Sequence, residues 1–273
     1  MNSSSFSTIN PATGEEIETF PFFTAQETEA ALARAEKSFK SYRKLCLQQR
    51  AQLLSHLATT LRKNKAQLAK GITTEMGKIL AEAEAEVEKC AWEADWYAEH
   101  GPQMLADAPA PTGAVEAYVS YLPLGPILGI MPWNFPLWQM TRMGIPTLLA
   151  GNVLLVKHSP NTQRSSLELE RMMLEAGFPE GVLQNLILKT DDIVNVINDE
   201  RVQGASVTGS VRAGSAVASE AGAVIKKTVL ELGGSDAFIV LEDADVPKAS
   251  RRVSRDGSRT PVRFAWRPNG SSW

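Results

Sequence analysis

The chain has 273 residues, 44% of them hydrophobic, and a formal net charge of −3. That weakly acidic balance disfavours nucleic acid or an anionic membrane as a general partner, and no apolar run reaches the ~20 residues of a membrane span. Cys46 and Cys90 are the only cysteines, so no disulfide framework is indicated and a reducing cytoplasm is the expected setting.

In chain order, the opening MNSSSFSTINPATGEEIETF has neither the basic nor the apolar segment of a secretory leader. Residues 24–105 read as helices. Thr24 and Glu27 form a capping box ahead of AALARAEKSF. Leu53, Leu54, Leu57 and Leu61 keep helical spacing, and EMGKILAEAEAEVEKCAWEADWYAEH continues it as far as Gly101-Pro102. From about Val115 the period changes. EAYVSYLP alternates like a strand, while GPILGIM and NVLLVK are short apolar runs of the kind buried in parallel sheets. FPLWQMTRMGIPTLLA and SSLELERMMLEAGF have helical length between and after them. GVLQNLIL, DDIVNVIND, GASVTGS, VRAGSAVASEAGA and KKTVLEL carry the alternation onward. Strands alternating with helices predict an α/β fold, a parallel sheet covered on both faces.

Four segments stand out chemically. In MPWNFPLWQ, two prolines stiffen a turn after a strand, and Asn134 either caps the next helix or offers its amide N–H to an oxyanion, an interaction worth about 3 kcal/mol in a dry site. In VTGSVRAG, Gly209 and Ser210 open a helix whose free N–H groups suit a phosphate, although the pattern is not GxGxxG and any strand–turn–helix can look like it. Lys157 ends a strand in LLVKHSP, where it either holds ribose or phosphate or is simply solvated. Glu231 lies between apolar residues in TVLELGGSDAFIV; it is either a structural carboxylate or, with a pKa raised by burial, a base.

Together, in this order and spacing, PWNFP, VKHSP, VTGS and LELGGSD resemble the aldehyde dehydrogenase superfamily, and within it the bacterial NAD- or NADP-dependent succinate-semialdehyde dehydrogenases. The resemblance implies a Rossmann-like sheet over about 115–246 following the helical region 24–105, with residues 1–246 forming a cofactor-binding part and the catalytic domain missing. It implies Asn134 as oxyanion donor, Glu231 as general base, Lys157 at the adenosine ribose, Gly209 and Ser210 at the pyrophosphate, and Trp133 and Leu232 beside the nicotinamide. Many NAD-preferring members carry Glu where this chain has Pro160, so both NAD and NADP are expected. Arg142, eight residues after Asn134 with Trp138 midway, would share a helix face with both and grip the far carboxylate of a semialdehyde; its alternative is a surface or ion-paired arginine. A small aldehyde is the expected substrate, relatives of full length are homo-oligomers, and no metal is expected.

The family's nucleophilic cysteine, counted on from Glu231, would fall near Ala265, and no cysteine follows Cys90. Residues 247–273 hold Arg251, Arg252, Arg255, Arg259, Arg263 and Arg267 with no evident period. They read as a disordered, non-family tail after Val246, produced by a reading-frame shift or, alternatively, a natural basic extension. The expected chain is therefore an inactive dehydrogenase remnant; the competing reading is a non-catalytic nucleotide-binding or regulatory protein.

Overall fold

A computed structural model describes residues 4–258 except 235, 236 and 238. The first strands escape the sequence reading: β1 (Ser5–Ile9) and β2 (Glu16–Pro21) form an antiparallel hairpin. Four helices follow over the expected region: α1 (Ala25–Tyr42), α2 (Leu47–Lys63), α3 (Lys65–Met76) and α4 (Leu80–Met104). The Thr24 capping box is present, with Glu27 N–H donating to Thr24 Oγ1 at 3.2 Å and Thr24 N–H to Glu27 Oε2 at 2.7 Å. Leu54, Leu57 and Leu61 turn their apolar stripe into the core, whereas Leu53 only borders it. Gly101 and Pro102 do not end α4; the helix continues for one more half-turn to Met104.

EAYVSYLP supplies only a two-residue strand, β4 (Tyr118–Val119), paired with β3 (Ala108–Pro109). Both strands are exposed, so the alternation has no buried face to serve. The α/β alternation then runs β5 (Pro126–Met131), α5 (Trp138–Leu149), β6 (Val153–His158), α6 (Gln163–Glu175), β7 (Leu183–Asn185), α7 (Ile193–Asn198), β8 (Gly204–Gly209), α8 (Val211–Ala223) and β9 (Lys227–Leu232). The five strands are parallel in the order β7-β6-β5-β8-β9. Chain order reverses between β5 and β8, and a crevice at the carboxyl ends of such a pair is where open α/β sheets bind ligands. The central strands are buried through Leu128, Val153, Leu154, Leu155 and Val156. Among the described residues β9 has a neighbour on one side only, and Val229 is 61% exposed on it.

The expectation of an aperiodic tail directly after Val246 is corrected. Residues Val246–Ser258 form α9. Its start is coded locally: the Lys248 N–H donates to Asp245 Oδ1 at 3.0 Å, and Pro247 sits in the first turn, where no backbone N–H is needed. Residues 259–273, including the position counted for the nucleophile, lie outside the described residues. No helix among the described residues is long and apolar enough to cross a membrane.

Carboxylates withdrawn wholly or partly from solvent accept backbone N–H groups of other elements. Glu75, at the end of α3, accepts the Arg164 N–H at 2.7 Å and the Ser165 N–H at 2.8 Å, and so caps α6 from a distance of ninety residues along the chain. Glu170 of α6 similarly accepts the N–H of Asn185 at 3.0 Å and its side-chain amide at 2.8 Å. Removing Glu75 strips the acceptor from two N–H groups at a buried helix start. Glu75→Ala should lower stability by about 2–4 kcal/mol in chemical denaturation. An unchanged midpoint would mean that water serves these donors equally well.

Candidate active site

The loop from Pro132 to Leu137 leaves β5 and enters α5 under three long-range restraints. Glu86 of α4 accepts from the N–H groups of Leu137 at 2.9 Å and Trp138 at 3.0 Å, capping α5 where no local side chain does so. Its other oxygen is paired with Lys78, and both side chains are buried. The Lys78 ammonium also lies 3.7 Å from the centre of the Phe135 ring. From the far side His158, the last residue of β6, places Nε2 at 3.1 Å from the Pro136 carbonyl and Nδ1 at 2.9 Å from Thr162 Oγ1. A neutral ring satisfies both: Nε2–H donates to the carbonyl and Nδ1 accepts the hydroxyl. Burial, ahead of the neighbouring charges, holds the His158 pKa down to about 4.

Asn134 stands inside this held loop, one turn before α5 begins. The cap of α5 belongs to Glu86, so the reading of Asn134 as a helix cap is set aside. Its Oδ1 is buried without a hydrogen-bond partner among the described residues. Trp133 packs against the core beside it. Because Asn134 precedes the helix, it does not share a helical face with Trp138 and Arg142, as the spacing suggested; only those two, four apart, do. Lys89 lies over the Trp138 ring, 3.6 Å from its centre.

Arg142 reaches across the carboxyl edge of the sheet. Its NH1 is 3.3 Å from Glu231 Oε2, and its NH2 donates to Thr208 Oγ1 at 3.4 Å. The β8–β9 register sets Thr208 directly opposite Glu231, so one guanidinium meets both. The surroundings expected for Glu231 differ from those found. Its side chain is 54% exposed, because β9 is the edge strand and no apolar layer covers it. The ion-paired alternative for Arg142 is realised, with the candidate base as the partner.

The remaining predicted residues occupy the same edge. Lys157, the penultimate residue of β6, is half-buried, its side chain has no ion pair or hydrogen bond among the described residues, and burial lowers its pKa. Pro160 is exposed and starts a short 3₁₀ turn two residues after β6. Gly209 closes β8, and an added Cβ there would meet only Ala213, at ordinary contact distance. Ser210 caps α8 by accepting the Ala213 N–H at 3.2 Å. The Leu232 side chain packs on Gly214, in the first turns of α8. By register the ends of β5, β6, β8 and β9 lie side by side, so the structure brings Trp133, Asn134, Lys157, Gly209, Ser210, Glu231 and Leu232 to one rim, with Arg142 leaning over it.

Sequence reading missed Lys78, Glu86, Glu93 and the role of His158. Glu86 and Glu93 are seven residues apart on the same α4 face as Ala83, Val87, Cys90 and Ala94, all buried. Carboxylates on an apolar stripe were the available signal, hidden in a stretch rich in glutamate. Burial raises the Glu93 pKa to about 7, against a Thr141 hydrogen bond and the charges of Lys89 and Arg142, which pull it down. Cys90 is buried, and desolvation, then the charge of Glu86, pushes its thiol well up, against thiolate character. Cys46 is exposed at the start of α2, away from the rim. No group of three or more His, Cys, Asp or Glu side chains is placed to hold a metal among the described residues.

Two outcomes follow from these restraints. His158 is held below the ~6.5 of an unfolded histidine, so its contribution is complete above that pH and is lost as pH falls towards 4, on the order of 2–3 kcal/mol. The stability difference between the wild type and His158→Gln should therefore shrink between pH 7 and 4; a constant difference would show that the ring does not titrate in the fold. Lys78→Met leaves Glu86 charged and buried and should cost about 3–5 kcal/mol, whereas Lys78→Met combined with Glu86→Leu should cost less than the two changes summed. Strict additivity in a denaturation series would contradict the pairing.

The aldehyde dehydrogenase family model matches residues 1–259, past the boundary read at Val246. The succinate semialdehyde dehydrogenase [NAD(P)+] Sad of Escherichia coli (strain K12) is 46% identical over 241 residues, covering 88% of this chain and 52% of that protein. The succinate-semialdehyde dehydrogenase [NADP(+)] of Mycobacterium avium (strain 104) is 46% identical over 259 residues, covering 92% and 55%. Among solved structures, succinic semialdehyde dehydrogenase from Streptococcus pyogenes in complex with NADP+ superposes with a TM-score of 0.87 at 40% identity, covering 90% of this chain and 54% of that one. The chain thus spans about half the length of the relatives it matches. With a family match over nearly its whole length, the chain belongs to the aldehyde dehydrogenase family.

Proposed function

We propose that these residues form the cofactor-binding part of an NAD(P)-dependent dehydrogenase that oxidises a short aldehyde with a distal carboxylate, succinate semialdehyde first, to the acid. One observation carries the reading: an asparagine whose amide oxygen is unpartnered, an arginine, a carboxylate and a lysine without a side-chain partner among the described residues converge on the carboxyl rim where strand order reverses. The relatives named above, with succinate semialdehyde and NADP in their names, support the same reading.

The rim suits a dinucleotide. The Lys157 side chain has no partner among the described residues, a Cβ at Gly209 would meet only Ala213 at ordinary contact distance among them, and the start of α8 offers N–H groups that Ser210 satisfies only in part. Gly209 and Ser210 would hold the pyrophosphate, Lys157 the adenosine ribose, and Trp133 and Leu232 the nicotinamide side, which supplies the hydride acceptor when bound. Pro160 offers no carboxylate to repel a 2′-phosphate, so both cofactors fit. Asn134 would donate its amide N–H to the oxyanion of an attacked aldehyde. Glu231 would take a proton from water in deacylation. Arg142 would bind the distal carboxylate as a charge-assisted pair.

The nucleophile is the part this rim does not supply. Cys46 and Cys90 are the only cysteines of the 273 residues, and neither lies on it. We therefore read the chain as binding cofactor without turnover, and place its change of character after residue 259, since both α9 and the family match pass Val246.

Titration with NAD and NADP should show saturable binding of both, weakened tenfold or more by Lys157→Ala. Addition of succinate semialdehyde should produce no reduced-nicotinamide absorbance. Failure to bind either cofactor would refute the binding reading. Turnover persisting in Cys46→Ala/Cys90→Ala would show that another nucleophile exists.

A further inference from the structure

We infer that Glu231 and the distal carboxylate of the substrate compete for Arg142, so that the arginine holds the base locked until an arriving carboxylate releases it. The inference rests on the roles proposed above for Arg142 and Glu231. The observation is that the two groups assigned to different tasks are bound to each other. Arg142 NH1 lies 3.3 Å from Glu231 Oε2, and the neighbouring NH2 is held by Thr208 at 3.4 Å. Both contacts come from the carboxyl ends of β8 and β9, where the register places Thr208 and Glu231 abreast.

Three features make this pair displaceable. It is reachable, since the side chains are 35% and 54% exposed. It is loose, because one contact at 3.3 Å falls short of the ~2.8 Å forked pairing that a guanidinium and a free carboxylate adopt. It is also the only hydrogen bond or ion pair of the Glu231 side chain among the described residues. A glutamate tied to a strand end cannot choose its approach, whereas the carboxylate of a small free molecule can take both nitrogens. The buried Glu93 carboxyl lies close enough for its charge to be felt with that of Arg142, so the arginine stays in an acidic setting either way. Selection for a carboxylate-bearing aldehyde would then operate twice: once in binding, and again in freeing Glu231 to receive a proton from water. An uncharged aldehyde of equal length would do neither.

The competition is measurable on the 273-residue chain without any turnover. Succinate is the probe, with succinamide as the uncharged control, titrated at constant ionic strength into the wild type, Glu231→Gln, Arg142→Ala and the double variant. Thermal melts verify that each is folded; Glu231 is exposed enough that its amide should not disturb the sheet. Glu231→Gln should bind succinate threefold to tenfold more tightly than the wild type, and that gain should vanish in the Arg142→Ala background. Succinamide should show no gain in any protein. Equal or weaker succinate binding by Glu231→Gln overturns the lock, as does a gain that survives Arg142→Ala, which would mark general charge repulsion. If Arg142→Ala leaves wild-type succinate binding unchanged, or succinate binds none of the four, the role of Arg142 in substrate binding fails, and the lock with it. Weaker binding by Arg142→Ala with no effect of Glu231→Gln removes the lock alone.

Discussion

Two charges withdrawn from water, Lys78 and Glu86, hold the candidate site to the scaffold. Each would be costly to bury alone, and their mutual attraction does not by itself make the fold more stable than an apolar replacement would. What the pair adds is direction. With one oxygen on Lys78, Glu86 has the other free for the first N–H groups of α5, where the helix dipole also favours a negative charge. Lys78 faces Phe135 with the same ammonium. The loop that carries Asn134 is therefore fixed directly after that residue, at Phe135 and at the start of α5. His158 adds a third point at Pro136. A site built this way is held by groups that touch no substrate, as precise placement of an oxyanion donor requires.

The same device recurs at Glu75 and Glu170, and it explains the division of labour between the two regions. The helices of residues 25–104 pack on the α/β region, and their buried carboxylates Glu75 and Glu86 also accept from the first N–H groups of α6 and α5. Binding groups can thus stand on a rim that is open to solvent while their supports are dry. Arg142 and Glu231 show the other extreme: exposed, loosely paired and free to exchange partners.

Much of this was legible in the sequence where local rules decide. The Thr24–Glu27 box, the stripe of α2 and the unbroken apolar runs of β5 and β6 each encode their element within a few residues. The motifs PWNFP, VKHSP, VTGS and LELGGSD all reach one rim because each follows a parallel strand, and parallel strands share one carboxyl end. The supports were not legible, since Glu86 resembles its exposed neighbours until α4 is known to present it to α5, fifty residues on. The exposure of Glu231 was missed because an apolar strand reads the same in the centre of a sheet as at its edge. α9 was missed because arginine and serine dominate its composition, although Asp245 and Pro247 already marked its start.

The claim that the buried pair orders the rim is tested most directly by amide hydrogen exchange on Glu86→Gln. Glutamine keeps the size of the side chain but cannot remain an anion between Lys78 and the start of α5. The amides of Leu137 and Trp138 should lose protection by tenfold or more, while those of the central strands β5 and β6 keep theirs. Unchanged protection at Leu137 and Trp138, or a uniform loss across the sheet, would contradict a local anchoring role for Glu86.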